Sequence, residues 1–352
     1  MEVLPEWEAA AELVLARGGI TMVLGATDTG KSTLCRYLVY YLFSRGRAVA
    51  LVDLDLGQSH LGPPASLGLG LFPPLYPGED SIFPSRLYFI GRTSPTGVLV
   101  EVLVGCRVLV DQALTSGASH IMVNTCGFIQ GPAAFRLKRA KLEILKPKLI
   151  LGLERREELA RLRQALLGAD TDKYLGLPVS SRARLRSQEE RRLYREARWR
   201  RYFQNASPLN LPFSSLGWQG LPWGLGQPLT MTERRYYQVK LGSRVLHGEA
   251  DGRETSLILA HPPRETAVEA GPELYWVSWP SLSYTLTGLL DPAHDTLALG
   301  LILPSPWEGQ KVTFLTPLSP SQANRVRFVR VGKMKISPEG KELTGESRVE
   351  KR

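Results

Sequence analysis

Short apolar runs alternate with longer amphipathic segments through the first half of the chain. The runs fit buried strands, and the segments between them have the spacing of helices that cover a sheet. The predicted strands are Ile20–Leu24, Ala48–Asp53, Leu87–Ile90, His120–Asn124, Leu149–Leu153 and Tyr174–Pro178. The predicted helices are residues 5–16, Ser32–Ser44, Thr96–Ser116, Ala133–Leu145 and Glu157–Leu167, and residues 62–80 are a predicted Pro/Gly-rich loop. This order predicts an α/β domain with a doubly wound parallel sheet.

The pattern changes after about residue 180. An Arg-rich helix over about 180–203 closes a first domain of residues 1–204, and residues 205–234 are predicted to be a linker. Short alternating segments between Gly and Pro turns then predict a smaller β-rich domain over 235–340. Its predicted strands include Tyr236–Leu241, Ser256–Ala260, Thr296–Leu303 and Val326–Val331. Residues 341–352, mostly charged or small and polar, are predicted to be a disordered tail.

The net charge of +10 is concentrated in two segments. Residues 136–148 hold six Lys or Arg and one Glu, and residues 182–203 hold nine Arg and three Glu. Either the two segments form a phosphate-binding surface, or they are two solvated basic helices.

The apolar runs are too short to span a bilayer, and the acidic N-terminus does not resemble a signal peptide. We therefore expect a cytoplasmic protein. Its three cysteines, Cys35, Cys106 and Cys126, have no metal-type spacing and are expected to be reduced and packed.

A phosphate-binding loop lies between the first predicted strand and the next helix. Residues 25–33 match G-x-x-x-x-G-K-[ST] and read Gly25, Ala26, Thr27, Asp28, Thr29, Gly30, Lys31, Ser32 and Thr33. Backbone N–H groups of such a loop surround phosphates, and its lysine bridges the β- and γ-phosphates. The Ser32 hydroxyl is the expected Mg²⁺ ligand. The loop predicts binding of a nucleoside triphosphate.

Two carboxylates follow the second predicted strand, in the run Asp53-Leu54-Asp55-Leu56-Gly57-Gln58. A carboxylate at this edge can hold Mg²⁺ or accept a proton from a nucleophile. Strand alternation puts Asp53 and Asp55 on one side, with Asp53 the better candidate for a structural capping or pairing role. These features do not choose between a switch, a motor, a metallochaperone and a kinase.

Five segments in order make the chain resemble the polynucleotide 5′-hydroxyl kinases, a family that includes the kinase subunit of the eukaryotic pre-mRNA cleavage machinery and ribosomal-RNA-processing enzymes. They are the P-loop, the run 53–58, residues 91–97 (GRTSPTG), residues 124–128 (NTCGF) and the Arg-rich stretch that ends at residues 201–203 (RYF). The resemblance covers residues 20–203 and is weaker beyond them. It implies transfer of the γ-phosphate of ATP, or another NTP, to the 5′-hydroxyl end of RNA or DNA, with Mg²⁺ as cofactor.

The resemblance also implies roles for single residues. Asp55 would activate the 5′-hydroxyl and contact Mg²⁺, and Gln58 would lie beside it. A clasp of Thr125, Gly127 and Phe128 would hold the terminal nucleotide, with Phe128 where the family usually has Trp. The lid pair would be Arg191 and Arg195, which lie four apart on one helical face and would close over the γ-phosphate. From the same helical spacing, and not from the resemblance, Arg192 lies off that face and would contact the acceptor backbone.

Two other functions remain open from the sequence. One is an NTP-bound scaffold subunit of an RNA-processing complex with little catalysis. The other is an NTPase switch or a metal-insertion protein, although the chain lacks Cys/His clusters. The choice between RNA and DNA, the preferred NTP and any protein partner are not indicated.

Overall fold

The computed structural model describes residues 3–72, 85–168, 172–221, 224–263, 273–305, 310–343 and 350–351. The chain divides into two compact units, Met1–Arg195 and Glu196–Arg352.

The first unit contains seven strands in its described residues: β1 Gly19–Gly25, β2 Val49–Leu54, β3 Ser66–Phe72, β4 Arg86–Phe89, β5 His120–Thr125, β6 Leu149–Glu154 and β7 Tyr174–Pro178. Its helices are α1 Pro5–Arg17, α2 Lys31–Phe43, α3 Leu99–Thr115, α4 Pro132–Leu145 and α5 Ala160–Leu167. Helix α6, Gln188–Phe203, begins in this unit and ends in the second.

The strands of the first unit lie in the order β4-β3-β2-β5-β1-β6-β7. The five from β2 to β7 run parallel, and β3 and β4 are antiparallel to their neighbours. This arrangement confirms the predicted fold class. The register aligns Asp53 of β2 with Asn124 of β5. The carboxyl ends of β1, β2 and β5 therefore meet at one edge of the sheet, where doubly wound folds bind ligands.

Helices cover both faces of this sheet. Strand β1 sends Met22 and Leu24 into the core formed with α3 and α4, and Val23 into the core formed with α1 and α2. Burial on both faces explains why the central strands are continuous apolar runs in the sequence. Three buried cysteines without disulfides lie in this unit, as predicted.

Strand β3 lies in the segment predicted to be a loop. Its sequence, SLGLGLF, contains two glycines that weaken a strand pattern. One of them, Gly68, allows a close approach, because a Cβ there would lie 2.6 Å from the Leu61 carbonyl oxygen. The rest of the predicted loop, from residue 73, lies outside the described residues. Helix α6 begins at Gln188, later than the predicted start of the Arg-rich helix.

The second unit is rich in β-structure, as predicted. Its strands are β8 Ser207–Pro212, β9 Gly217–Gln219, β10 Gln227–Pro228, β11 Val245–Ala250, β12 Glu254–Leu259, β13 Glu273–Ser278, β14 Thr285–Leu290, β15 Thr296–Ile302, β16 Lys311–Thr316, β17 Phe328–Ile336, β18 Glu342–Leu343 and β19 Glu350–Lys351. Its other elements are α7 Met231–Leu241, α8 Pro320–Ala323 and 3₁₀ turns at Phe213–Ser215 and Trp279–Leu282. One sheet has the order β18-β17-β14-β15-β16-β8 with β9 beside β17, and the other is β10-β11-β12-β13-β19.

In this half one predicted strand is wrong, and the segment predicted as a linker contains regular secondary structure. The segment predicted as a linker contains β8, β9 and β10, and β8 pairs with β16 from Ser207 to Pro212. Within the described residues, β8 pairs with that one strand, and an edge position tolerates proline. The predicted strand Tyr236–Leu241 is instead the end of α7, which begins with a capping box: Thr230 accepts from the Glu233 N–H at 3.3 Å, and the Glu233 carboxylate accepts from the Thr230 N–H at 2.8 Å.

Part of the predicted disordered tail, residues 344–349 and 352, lies outside the described residues. Its other parts include β18 and β19. The predicted domain limits stay a prediction. None of the helices in the described ranges combines the length and hydropathy that a bilayer-spanning helix needs.

Candidate active site

The P-loop joins the end of β1 to the start of α2. Gly30 lies in the left-handed region with a φ of 87° and immediately precedes Lys31, the first residue of the helix. The Lys31 ammonium donates to the Ala26 carbonyl oxygen at 2.5 Å, and the Thr29 hydroxyl donates to the same oxygen at 3.0 Å. Burial lowers the pKa of Lys31, while the charge of Asp55 acts in the opposite direction. The loop thus has the conformation of a phosphate cradle at a helix N-terminus.

A cleft of about 560 Å³ opens over this loop. Residues 27–33 form its floor, with Asp55, Gln58 and His60 on one wall. The remaining lining residues are Trp7, Arg36, Tyr40, Ser180, Arg182, Ala183, Arg184 and Arg186. Four arginines therefore line a cleft of a size suited to a nucleotide.

The side chains of Asp55 and Ser32 fit a hard divalent cation. The Asp55 Oδ1 atom accepts from the N–H groups of Gly57 and Gln58 at 3.1 and 3.0 Å, and within the described residues Oδ2 has no hydrogen-bond donor. The Ser32 hydroxyl oxygen accepts from Asn124 Nδ2 at 3.1 Å. A carboxylate and a hydroxyl are oxygen ligands of the kind that Mg²⁺ prefers.

Asp53 has a different environment from Asp55. It is buried, and its Oδ1 accepts from Asn124 Nδ2 at 2.9 Å and from the Asp55 N–H at 3.1 Å. Its Oδ2 accepts from the His60 N–H at 2.7 Å. Burial raises the pKa of Asp53, and the charge of His60 and the backbone N–H groups of His60 and Asp55 oppose that rise. The contacts give Asp53 the structural role that the sequence favoured and link the end of β2 to Ser32 through Asn124.

The predicted lid arginines lie outside the cleft lining. Arg191 donates to the Asp28 carboxylate of the P-loop at 2.7 Å, and the Arg186 N–H donates to the same oxygen at 2.9 Å. Burial would raise the pKa of Asp28, but these hydrogen bonds and the two guanidinium charges hold it below its ordinary value. The ion pair joins the P-loop to α6. Arg195 also does not line the cleft, and Arg192 pairs with Glu189 at 2.7 Å on an exposed part of α6.

Gln58 lines the cleft together with Asp55, and its predicted role toward the acceptor stays a prediction. Its Nε2 group donates to the Gly57 carbonyl at 3.0 Å, and its Oε1 atom accepts from Arg186 at 3.2 Å. Arg186 therefore contacts both the P-loop aspartate and the wall that carries Asp55.

The predicted clasp, residues 125–128, packs against the P-loop. A Cβ on Gly127 would lie 2.5 Å from the Thr27 nitrogen, so only glycine fits this contact. Thr125 is fully buried, and its hydroxyl donates to the Val23 carbonyl at 2.8 Å. Phe128 is half-buried and packs on the core. The clasp roles of these residues stay predictions, and burial makes a direct contact between the Thr125 hydroxyl and a nucleotide unfavourable as the structure stands.

Several site residues have roles that the sequence analysis did not assign. Arg182, Arg184 and Arg186 belong to the Arg-rich segment, which was a usable signal, but the resemblance directed attention to residues further along it. Asn124 opens the NTCGF run and was given no role of its own. The cleft residues Trp7, Arg36 and Tyr40 lie on helices without a recognisable motif.

Comparison with known proteins gives the chain its family. The model of the family described as the P-loop of the mRNA cleavage and polyadenylation factor CLP1 matches residues 25–205, which is more than half of the chain. The chain belongs to this family. The family membership confirms the resemblance that the sequence motifs indicated.

Relatives in the CLP1 family match most of the chain. The polyribonucleotide 5′-hydroxyl-kinase of Pyrococcus furiosus is 32% identical, over 96% of this chain and 93% of that protein. The protein of the same name in Methanocaldococcus jannaschii is 30% identical, over 92% of this chain and 88% of that protein. The polyribonucleotide 5′-hydroxyl-kinase Clp1 of Xenopus tropicalis is 32% identical, over 57% of this chain and 47% of that protein.

A solved structure shares the fold. The Clp1p chain in the structure of a Clp1p–Pcf11p complex aligns with a TM-score of 0.60 and 14% identity, over 94% of this chain and 78% of that chain. That structure contains Clp1p bound to a partner protein.

Proposed function

We propose that this chain is a polyribonucleotide 5′-hydroxyl kinase that transfers the γ-phosphate of ATP, or of another nucleoside triphosphate, to the 5′-hydroxyl end of RNA. Relatives that match more than nine-tenths of the chain have this activity in their names. The main observation in its support is that Asp55, Lys31 and Ser32 line one cleft. Among the described residues the Asp55 Oδ2 atom has no hydrogen-bond donor, so it could accept the proton of a hydroxyl nucleophile in this cleft.

In the proposed reaction the 5′-hydroxyl oxygen forms a bond to the γ-phosphorus as the bond from that phosphorus to the β–γ bridging oxygen breaks. The products are 5′-phosphorylated RNA and a nucleoside diphosphate, and the hydroxyl proton passes to the Asp55 carboxylate. Lys31 and the P-loop N–H groups stabilise the charge on the phosphate oxygens. Ser32 and Asp55 would hold Mg²⁺, which when bound neutralises charge on the β- and γ-phosphates.

The arginines of the site divide into two groups in this proposal. Arg182 and Arg186 already line the cleft and would contact the nucleotide phosphates. Arg191 is held by Asp28 at the P-loop and would reach the γ-phosphate only after that ion pair opens. Arg195 remains the second proposed lid residue, and Gly127 and Phe128 remain the proposed surface for the terminal nucleotide.

The test is an assay with γ-labelled ATP, Mg²⁺ and matched RNA and DNA oligonucleotides that end in a 5′-hydroxyl or a 5′-phosphate. We expect label only on 5′-hydroxyl oligonucleotides, and mainly on RNA. Free phosphate without labelled oligonucleotide would instead indicate an NTPase switch. Neither product would indicate an NTP-bound scaffold.

A further inference from the structure

Two lysines of α4 are buried in the core. Lys138 and Lys141 lie three residues apart, on one face of the helix, and neither side chain is exposed to solvent. Both lie in the basic segment 136–148, for which the sequence left open a phosphate-binding surface or a solvated basic helix. Burial of an ammonium group is costly, so a lysine in a core calls for a specific reason.

Lys138 has hydrogen bonds that Lys141 lacks. Its Nζ atom donates to the Thr125 hydroxyl oxygen at 2.9 Å and to the Cys126 carbonyl oxygen at 2.8 Å. Within the described residues, the Lys141 Nζ atom has no hydrogen-bond partner. The two lysines therefore share a helix and a degree of burial, but in the described part of the chain Lys138 donates hydrogen bonds to residues 125 and 126 and Lys141 donates none.

The contacts of Lys138 continue to the strand that leads into the P-loop. The Thr125 hydroxyl accepts from Lys138 and donates to the Val23 carbonyl of β1. Two residues after Thr125, Gly127 packs on the backbone of Thr27. Lys138 is thus hydrogen-bonded to residues 125 and 126. The next residue, Gly127, packs on the nucleotide-binding loop.

Among the described residues no carboxylate forms an ion pair with Lys138, whose hydrogen bonds go to a hydroxyl and a carbonyl oxygen. Burial lowers the pKa of Lys138 to about 8. The groups whose charges act on it are Cys126, Lys141, Lys31 and Asp55. Burying the Lys138 amine costs free energy. Its two hydrogen bonds to residues 125 and 126 offset part of that cost.

We propose that Lys138 is a positioning residue for the RNA acceptor: from inside the core it fixes residues 125–128, so that Gly127 and Phe128 present a fixed surface to the terminal nucleotide beside the P-loop. This proposal rests on the proposed kinase function. It assigns Lys138 no contact with RNA.

The test compares Lys138→Met with Lys141→Met, a matched control on the same helix and equally buried. Binding of a 3′-labelled 5′-hydroxyl RNA would be followed by fluorescence anisotropy, and binding of a fluorescent ATP analogue would be measured separately. We expect Lys138→Met to weaken RNA binding about tenfold or more through loss of its two hydrogen bonds, with nucleotide affinity changed less than about twofold. Lys141→Met should leave both affinities unchanged.

Hydrogen exchange adds a readout of position. The amides of residues 125–128 should exchange faster in Lys138→Met than in wild type, and not in Lys141→Met. If Lys138→Met does not fold, Lys138→Gln, which can keep one hydrogen bond, should show the same effects in smaller size.

Wild-type RNA affinity in a folded Lys138→Met protein would overturn the proposal. Equal losses of RNA and nucleotide affinity, or the same losses in Lys141→Met, would also overturn it and reduce Lys138 to a core residue. Because the readouts are binding and exchange, they remain informative if wild-type protein transfers no phosphate. That separate result would refute the proposed function.

Discussion

Replacing Gly127 with alanine tests the contact between the proposed acceptor segment and the P-loop. The added Cβ would lie 2.5 Å from the Thr27 nitrogen and 2.7 Å from its Cα, and it would also meet the Thr27 hydroxyl. Two of these three atoms belong to the backbone, so a side-chain rotation cannot remove the clash. The P-loop would have to retreat by about 1 Å to restore an ordinary contact distance of about 3.5 Å.

The size of the effect follows from that displacement. Overpacking of a well-packed site costs about 1–3 kcal/mol of unfolding free energy. A shift of about 1 Å in a group that positions a substrate can lower kcat/KM by about 10²-fold. We therefore expect Gly127→Ala to weaken nucleotide binding even when no RNA is present.

The assay is equilibrium binding of a fluorescent ATP analogue without acceptor, together with denaturant unfolding. Gly176→Ala is a suitable control, because among the described residues the nearest atom to a Cβ at Gly176 would lie 3.7 Å away, in the Tyr174 ring. Gly176 lies in β7 and its substitution should change nucleotide affinity less than about twofold. If Gly127→Ala binds nucleotide as wild type does and is equally stable, Gly127 does not pack on Thr27 of the P-loop as described.

The remaining predictions concern both units. Asp53→Asn should lower the unfolding free energy by roughly 2–4 kcal/mol in denaturant titrations, because it disrupts a buried set of hydrogen bonds. Asp55→Asn should lower the unfolding free energy by less than about 1 kcal/mol, yet it should reduce label transfer by about 10²–10⁴-fold. If Asp55→Asn instead had the larger effect on stability and Asp53→Asn the larger effect on label transfer, Asp55 would be the structural carboxylate and Asp53 the catalytic one. Burial lowers the pKa of Lys138 from 10.5 to about 8, so between those pH values the unfolded chain binds more protons than the folded one. The unfolding free energy of wild type should therefore rise with pH in this range, by roughly 3 kcal/mol relative to that of Lys138→Met. A difference in unfolding free energy between the two proteins that stays constant from pH 8 to 10.5 would contradict this. Thr230→Ala should cost about 1 kcal/mol and speed hydrogen exchange of α7, since it removes the N-cap; unchanged exchange would argue against the capping box.

Sequence periodicity predicted the parallel sheet well because its central strands are buried on both faces. Strands such as β1 and β6 then appear as largely apolar runs between helices. Strand β3 has no such signal, since Gly68 and Gly70 are typical of a loop. What makes it a strand is pairing with β2 and β4, which local sequence does not encode.

The alternation of apolar and polar residues gave a wrong prediction at α7 for a different reason. Its last residues, from Tyr236, alternate like a strand, whereas the helix is defined by a cap several residues earlier at Thr230 and Glu233. The capping-box spacing was visible in the sequence and would have predicted the helix start. The strands of the predicted linker, by contrast, depend on pairing with distant strands such as β16 and β17.

At the site, sequence motifs located the P-loop and Asp55 but not the side chains that support them. Helical spacing places Lys138 on the same face as Leu137 and Leu145, but it does not tell whether the ammonium group is buried or extends along that face to solvent. The Asp28–Arg191 ion pair spans residues far apart in the chain and could not be inferred from helical spacing. Tertiary packing decides both.

The most direct test of the kinase proposal is transfer of label from γ-labelled ATP to a 5′-hydroxyl RNA by wild-type protein and by Lys31→Ala, side by side. Both proteins would first be shown to be folded by the same unfolding midpoint or by circular dichroism. The account predicts labelled RNA with wild type and essentially none with Lys31→Ala, because the bridge to the β- and γ-phosphates is lost. Equal transfer by the two proteins would contradict the account, since phosphoryl transfer would then not depend on the P-loop cleft.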